Sequence, residues 1–106
     1  MHRILIVEDE NIVGLGIQKR LRRMGYEALE VLSTGQQAVE YVEREQPDLI
    51  LMDIQIQGDI DGIETTRRIR ERFDVPIVYL TAFSDETTLQ RAKATEAFAY
   101  VLKPFK

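Results

Sequence analysis

The sequence predicts a doubly wound α/β domain, a parallel sheet of five strands with helices on both faces. Three observations predict it. Four short apolar runs, ILIV at 4–7, LILM at 49–52, IVYL at 77–80 and AYVL at 99–102, are continuous rather than alternating. Continuous hydrophobicity marks strands buried on both faces. Segments with helical spacing separate the runs, and strand–helix alternation of this kind builds a parallel sheet through right-handed crossovers. The whole pattern fits in 106 residues with no repeat, low-complexity stretch or linker, which is the size of one domain.

Taken in order, ILIV is the first strand. Asn11 to Met24 follows as a helix with Val13, Ile17, Leu21 and Met24 on one face, and Gly25 stops it. Gly14 and Gly16 each weaken that helix by about 1 kcal/mol relative to alanine. The second strand, YEALEVL at 26–32, is mixed; Glu27 and Glu30 suit it to an edge. Gly35 to Glu45 is the second helix, with Ala38, Tyr41 and Val42 inward and Pro47 beyond its end. LILM is the third strand. Asp61 and Glu64 form a capping-box-like start to a third helix carrying Ile63, Ile69 and Phe73, which Pro76 closes. IVYL is the fourth strand. Ser84 caps the fourth helix, whose first turn holds Asp85 and Glu86. AYVL is the fifth strand. For five such strands the flavodoxin-like order 2-1-3-4-5 places the mixed run at an edge and the functional crevice at the carboxyl ends of the strands.

Composition removes several classes of function. No cysteine is present, which excludes disulfides, thiol catalysis and cysteine zinc sites. The one histidine is His2, so no histidine triad or histidine metal cluster can form. The net charge is −4; the basic run RRIRER from Arg67 to Arg72 carries a glutamate and reads as a solvated helix face rather than a nucleic-acid patch. The apolar run nearest the N-terminus is too short for a signal segment or a membrane span, and a cytoplasmic location is the expectation.

The polar residues just past the apolar runs carry the chemistry. Glu8 and Asp9 follow the first strand, Asp53 ends the third, Thr81 and Ala82 end the fourth, and Lys103 follows the fifth. Alone, a strand-end aspartate is commonly a turn or helix cap. Together, these residues meet at one sheet edge if the strand order holds. Clustered carboxylates repel, and all-oxygen donors at an open site suit Mg²⁺. A lysine binds a phosphate oxygen as a point charge, a threonine offers a hydroxyl, and a carboxylate is a competent nucleophile toward phosphorus. The set is that of phosphoryl transfer onto an aspartate.

In these motifs, ILIVEDE, LILMDIQ, the DG at 61–62, IVYLTA and YVLKPF, the chain from Arg3 to its end resembles a response-regulator receiver domain. The resemblance implies that Asp53 is the phosphoacceptor of a two-component system, taking its phosphoryl group from a sensor histidine kinase or a phosphotransfer protein. It implies Mg²⁺ held by Glu8, Asp9, Asp53 and the backbone carbonyl of Gln55. Thr81, Ala82 and Lys103 would hold the phosphoryl group, and Tyr100 would be an aromatic that moves with Thr81. Gln55 and Phe83 would flank the site, with Phe83 limiting access of water. The module would switch a binding surface rather than turn over a substrate, act on an output domain or target, form a homodimer through the fourth helix, and contact neither nucleic acid nor membrane. A phosphorylation-independent interaction module of the same fold is the alternative.

Three departures from the family's pattern carry expectations of their own. The first acidic position is Glu8 where aspartate is frequent. Ile56 and Gln57 stand where Met-Pro is common, and Asp61 lies one position later than usual, so the loop after Asp53 should be longer and less rigid. The chain stops at KPFK, so residues 1–106 are read as a receiver domain whose last helix is absent from this chain.

Overall fold

The computed structural model describes residues 2–81 and 86–102. Among the described residues nine elements alternate: β1 (Arg3–Val7), α1 (Asn11–Arg23), β2 (Glu27–Leu32), α2 (Gly35–Glu45), β3 (Leu49–Asp53), α3 (Gly62–Arg70), β4 (Ile77–Thr81), α4 (Glu86–Ala94) and β5 (Ala99–Leu102). The sheet runs β2-β1-β3-β4-β5 with every pair parallel. The order reverses between β1 and β3, which opens a crevice at their carboxyl ends.

Two apolar layers sandwich the sheet. One joins Leu5, Val7, Ile50, Met52 and Tyr79 to Ala38, Tyr41 and Val42 of α2, Ile63 and Ile69 of α3, and Ala92 of α4. The other joins Ile6 and Leu80 to Ile17 of α1. Burying each valine, leucine, isoleucine or methionine side chain among these contributes about 1.5–3 kcal/mol. α1 approaches the sheet closely because Gly14 has no side chain; a Cβ there would sit 2.5 Å from Val31 Cγ1.

The helix ends follow the sequence with four differences. Met24 caps α1 and is 68% exposed instead of joining the inward face, because the chain must leave the helix there to enter β2. α2 opens with a complete capping box, the Thr34 side chain accepting from Gln37 N while Gln37 reaches back to the cap; the T-x-x-Q spacing is legible in the sequence. At α3 only half of the expected box forms. Asp61 Oδ1 accepts from Glu64 N at 2.8 Å, but the Glu64 carboxylate turns to Arg67 and Arg68. α3 also ends at Arg70, well before Pro76, and its last turn closes through Phe73 N donating to Ile69 O at 2.8 Å.

β5 departs from the expectation of strands covered on both faces. Tyr100 and Val101 are 39% and 37% exposed, whereas every residue of β4 is buried. An edge position covers one flank of a strand only. The expected cap Ser84, with Asp85, lies outside the described residues.

Candidate functional site at the carboxyl edge of the sheet

Register brings the strand-end residues together. Val7 pairs with Met52 and Asp53 with Leu80, so Glu8 stands beside Asp53 and Thr81 one step beyond it. Glu8, Asp53 and Thr81 are all buried, at 0%, 5% and 9% exposure. A carboxylate so far from water needs polar partners. Glu8 is anchored through its backbone, its amide donating to Leu32 O at 2.8 Å, and its Oε2 accepts from Glu10 N at 3.2 Å. Asp53 Oδ1 accepts from Gln55 N at 3.2 Å, a short turn that directs the chain out of the strand.

Among the described residues, Glu8, Asp9 and Glu10 bring their carboxylate oxygens within 4.8 Å of one another. Glu10 was not among the metal candidates read from sequence. Its position before α1 suggests a helix cap, but its side chain makes no capping bond. Asp53 is not drawn into that group; its Oδ1 takes the Gln55 amide. Gln55 itself is exposed. The donors are all oxygen and anionic, which fits a hard divalent cation such as Mg²⁺. Ala82, Phe83 and Lys103 lie outside the described residues; Thr81 pairs with Leu102, so Lys103 is the next residue in sequence after that pair.

The loop after Asp53, residues 54–61, is anchored at several points. Ile54 is buried and its amide donates to Leu80 O at 3.3 Å. Ile56 packs on the larger apolar layer. Gln57 bridges Thr34, and Gly58 turns with φ +100° beside the Thr34 side chain. Gly62 then comes back against the phosphoacceptor candidate. Its amide donates to Ile54 O at 2.7 Å, and a Cβ on it would fall on the Asp53 carbonyl oxygen. Gly62 is required for space; its backbone is not in the left-handed region, so the turn itself does not demand glycine. Asp59 is an exposed loop residue and Asp61 is the cap of α3.

Tyr100 stacks on Tyr79, with ring centroids 5.9 Å apart and planes 29° apart. Burial pushes the Tyr79 phenol above its ordinary pKa, so it stays neutral and hydrogen-bonded. Thr95 Oγ1 lies 2.8 Å from Tyr79 Oη and donates to Ala92 O, which leaves the phenol as donor of the bond between them.

Of the four arginines in the basic run from Arg67 to Arg72, all but Arg70 are exposed. Arg67 and Arg68 pair with Glu64, and Arg72 pairs with Glu43. Arg70 instead turns inward and donates to Thr95 O at 2.8 Å.

The profile of the response regulator receiver domain matches residues 4–106. The chain is 41% identical over 103 residues to the transcriptional regulatory protein PdtaR of Mycobacterium tuberculosis, covering 97% of this chain and 50% of that protein. It thus spans half the length of that relative. Among solved structures, the signal receiver domain of a modulated diguanylate cyclase from Desulfovibrio desulfuricans G20 superposes with a TM-score of 0.94 at 35% identity, over 100% of this chain and 84% of that one. The receiver domain of the sensor histidine kinase PA1611 from Pseudomonas aeruginosa PAO1 superposes with a TM-score of 0.87 at 35% identity, over 99% and 87% of the two chains. That structure holds a magnesium ion coordinated in its active site cleft.

Proposed function

The chain belongs to the response regulator receiver domain family, and from that premise we propose that Asp53 is its phosphoacceptor. The observation that supports this reading is the register that sets buried Glu8, Asp53 and Thr81 abreast at the carboxyl ends of three adjacent strands. The donor of the phosphoryl group is a phosphohistidine on a sensor kinase or phosphotransfer protein.

In the proposed reaction a carboxylate oxygen of Asp53 attacks phosphorus in line, an O–P bond forms, and the P–N bond to the histidine breaks. The Gln55 amide holds Asp53 Oδ1 and so orients the carboxylate for attack. Thr81 donates its hydroxyl to one phosphoryl oxygen, and Lys103 pairs with another. Ala82 is assigned to the same phosphate-binding group. Mg²⁺, when bound, supplies neutralisation of the charge that gathers on the phosphoryl oxygens. Asp9 and Glu8 would hold it, with Asp53 and the backbone carbonyl of Gln55. Glu10 joins the same acidic group. Gln55 and Phe83 are assigned to control access of the water that later hydrolyses the acyl phosphate.

The acyl phosphate biases the equilibrium of the β4–α4 region, with Tyr100 following Thr81. The output is a changed surface rather than a released product. Residues 1–106 act as one receiver unit within a regulator whose output domain or target lies outside this chain, and a homodimer face through α4 belongs to the same reading. The module works in the cytoplasm, where its kinase partner's histidine is exposed. Among the described residues no helix is long and apolar enough to cross a membrane.

Intact-protein mass spectrometry after incubation with a small-molecule phosphodonor tests the proposal. One added phosphoryl group that requires both Mg²⁺ and Asp53 is expected. A folded chain that gains no adduct overturns the acceptor role and leaves an interaction module that works by binding alone; one that gains it equally as Asp53→Asn overturns the role of Asp53 and puts the acceptor on another residue.

A further inference from the structure

α4 combines slight apolar burial with polar ties to the elements beside it. Its one fully buried residue is Ala92. Among the described residues, fastenings run between the α4 region and both ends of α3. At the end of α3, Arg70 donates to Thr95 O at 2.8 Å and to Glu96 O at 3.3 Å, just past the last turn of α4. At the start of α3, Arg91 grips Asp61 with both terminal guanidinium nitrogens, Nη1 2.9 Å from Oδ2 and Nη2 3.3 Å from Oδ1. Between them lies a groove of about 520 Å³ lined by Ile63, Arg67 and Ala94 among others. The groove gives α4 room to shift, with Ala92 as its buried contact to the apolar core.

The two fastenings differ in what they reach. Arg70 holds backbone carbonyls at the end remote from the crevice. Arg91 holds the residue that caps α3 and precedes Gly62, and Gly62 lies against the Asp53 carbonyl. Asp61 therefore serves two partners at once, accepting from Glu64 N and pairing with Arg91. We propose that the Arg91–Asp61 ion pair is a latch that couples the position of α4 to the Asp53 site, with Arg91 as a positioning residue. The inference rests on the proposed acceptor role of Asp53 and assigns the step that α4 must take before the activated state is reached.

The pair is suited to that task because both side chains are partly exposed, at 47% and 32%. A pair of this kind is weak enough to break when β4 and α4 rearrange. While closed it favours the unmodified arrangement, so opening it should tighten binding of a phosphoryl mimic by about two- to fivefold.

Asp61→Asn keeps an oxygen to cap Glu64 N and removes only the charge, while Arg91→Gln removes the other partner. Two readouts apply to both variants and to their combination, namely amide hydrogen exchange across residues 86–94 in the unmodified protein, and beryllofluoride affinity measured by calorimetry with Mg²⁺. Faster exchange in α4 and two- to fivefold tighter beryllofluoride binding are expected in each single variant. The double variant should gain nothing further, since one interaction can be removed only once. Wild-type protein that binds beryllofluoride with the same affinity as the variants, or effects that add in the double variant, overturns the latch alone. Wild-type protein that binds no beryllofluoride overturns the acceptor reading, and the latch falls with it.

Discussion

Gly62 lies against the main-chain carbonyl of Asp53, so close that a Cβ would overlap the oxygen and come within 2.9 Å of the Ile54 Cα. The obstacle is backbone on backbone, which cannot rotate away as a side chain could. Gly62→Ala is therefore expected to lower stability by about 3 kcal/mol, at the upper end of overpacking costs. A urea unfolding midpoint that matches wild type would show that the α3 start is free to move off β3. Because the displaced atoms carry Asp53, slower phosphorylation of the residual folded protein is the accompanying expectation.

Two glycines in one helix predict opposite outcomes. Gly14 faces Val31, a β-branched side chain with little rotamer freedom. Gly14→Ala should destabilise the domain despite alanine's better helix propensity. Gly16 has open space around it, so Gly16→Ala should stabilise by about 1 kcal/mol. Thermal denaturation of the two variants side by side checks the sign of each.

The clustered oxygens of Glu8, Asp9 and Glu10 make a third expectation. Removing one charge from a group this close relieves repulsion of the order of 1 kcal/mol or more. Asp9→Asn should raise the melting temperature in metal-free buffer by roughly 4–8 °C while weakening Mg²⁺ binding. A lower melting temperature in chelator would mean that Asp9 supports the fold itself.

On α3, the Arg67 and Arg68 guanidiniums hold the Glu64 carboxyl down to a pKa of about 2. A depressed carboxylate pKa stabilises the fold above the unfolded value of 4.5, and that contribution is lost as pH falls toward 2. The stability difference between wild type and Glu64→Gln should therefore be present at neutral pH, shrink below about pH 4.5 and vanish near pH 2. The pair is on the surface, so raising the salt concentration at pH 7 should shrink it as well. A difference independent of both pH and salt would assign the effect to packing.

Much of this domain was legible in the chain alone. Continuous apolar runs marked β1, β3 and β4, the glutamates of β2 marked an edge, and alternation with helical spacing was enough to order the sheet. Glu8, Asp53 and Thr81 could be chosen as site residues because each ends a run, and a parallel sheet delivers all its strand ends to one side. The DG at 61–62 was legible as a cap, but half of its meaning was not. Periodicity reports which face of an element turns inward, and it carries no information about atoms that meet from distant parts of the chain. That Gly62 is needed for the space beside Asp53, that Arg70 leaves the solvated face of its helix to hold Thr95, and that Arg91 reaches back to Asp61 were decided by tertiary structure only. Strand order follows from the sum of many weak burial preferences, each written locally. A single close contact or ion pair depends on where two backbones come to rest after that sum is satisfied, and no local pattern encodes it.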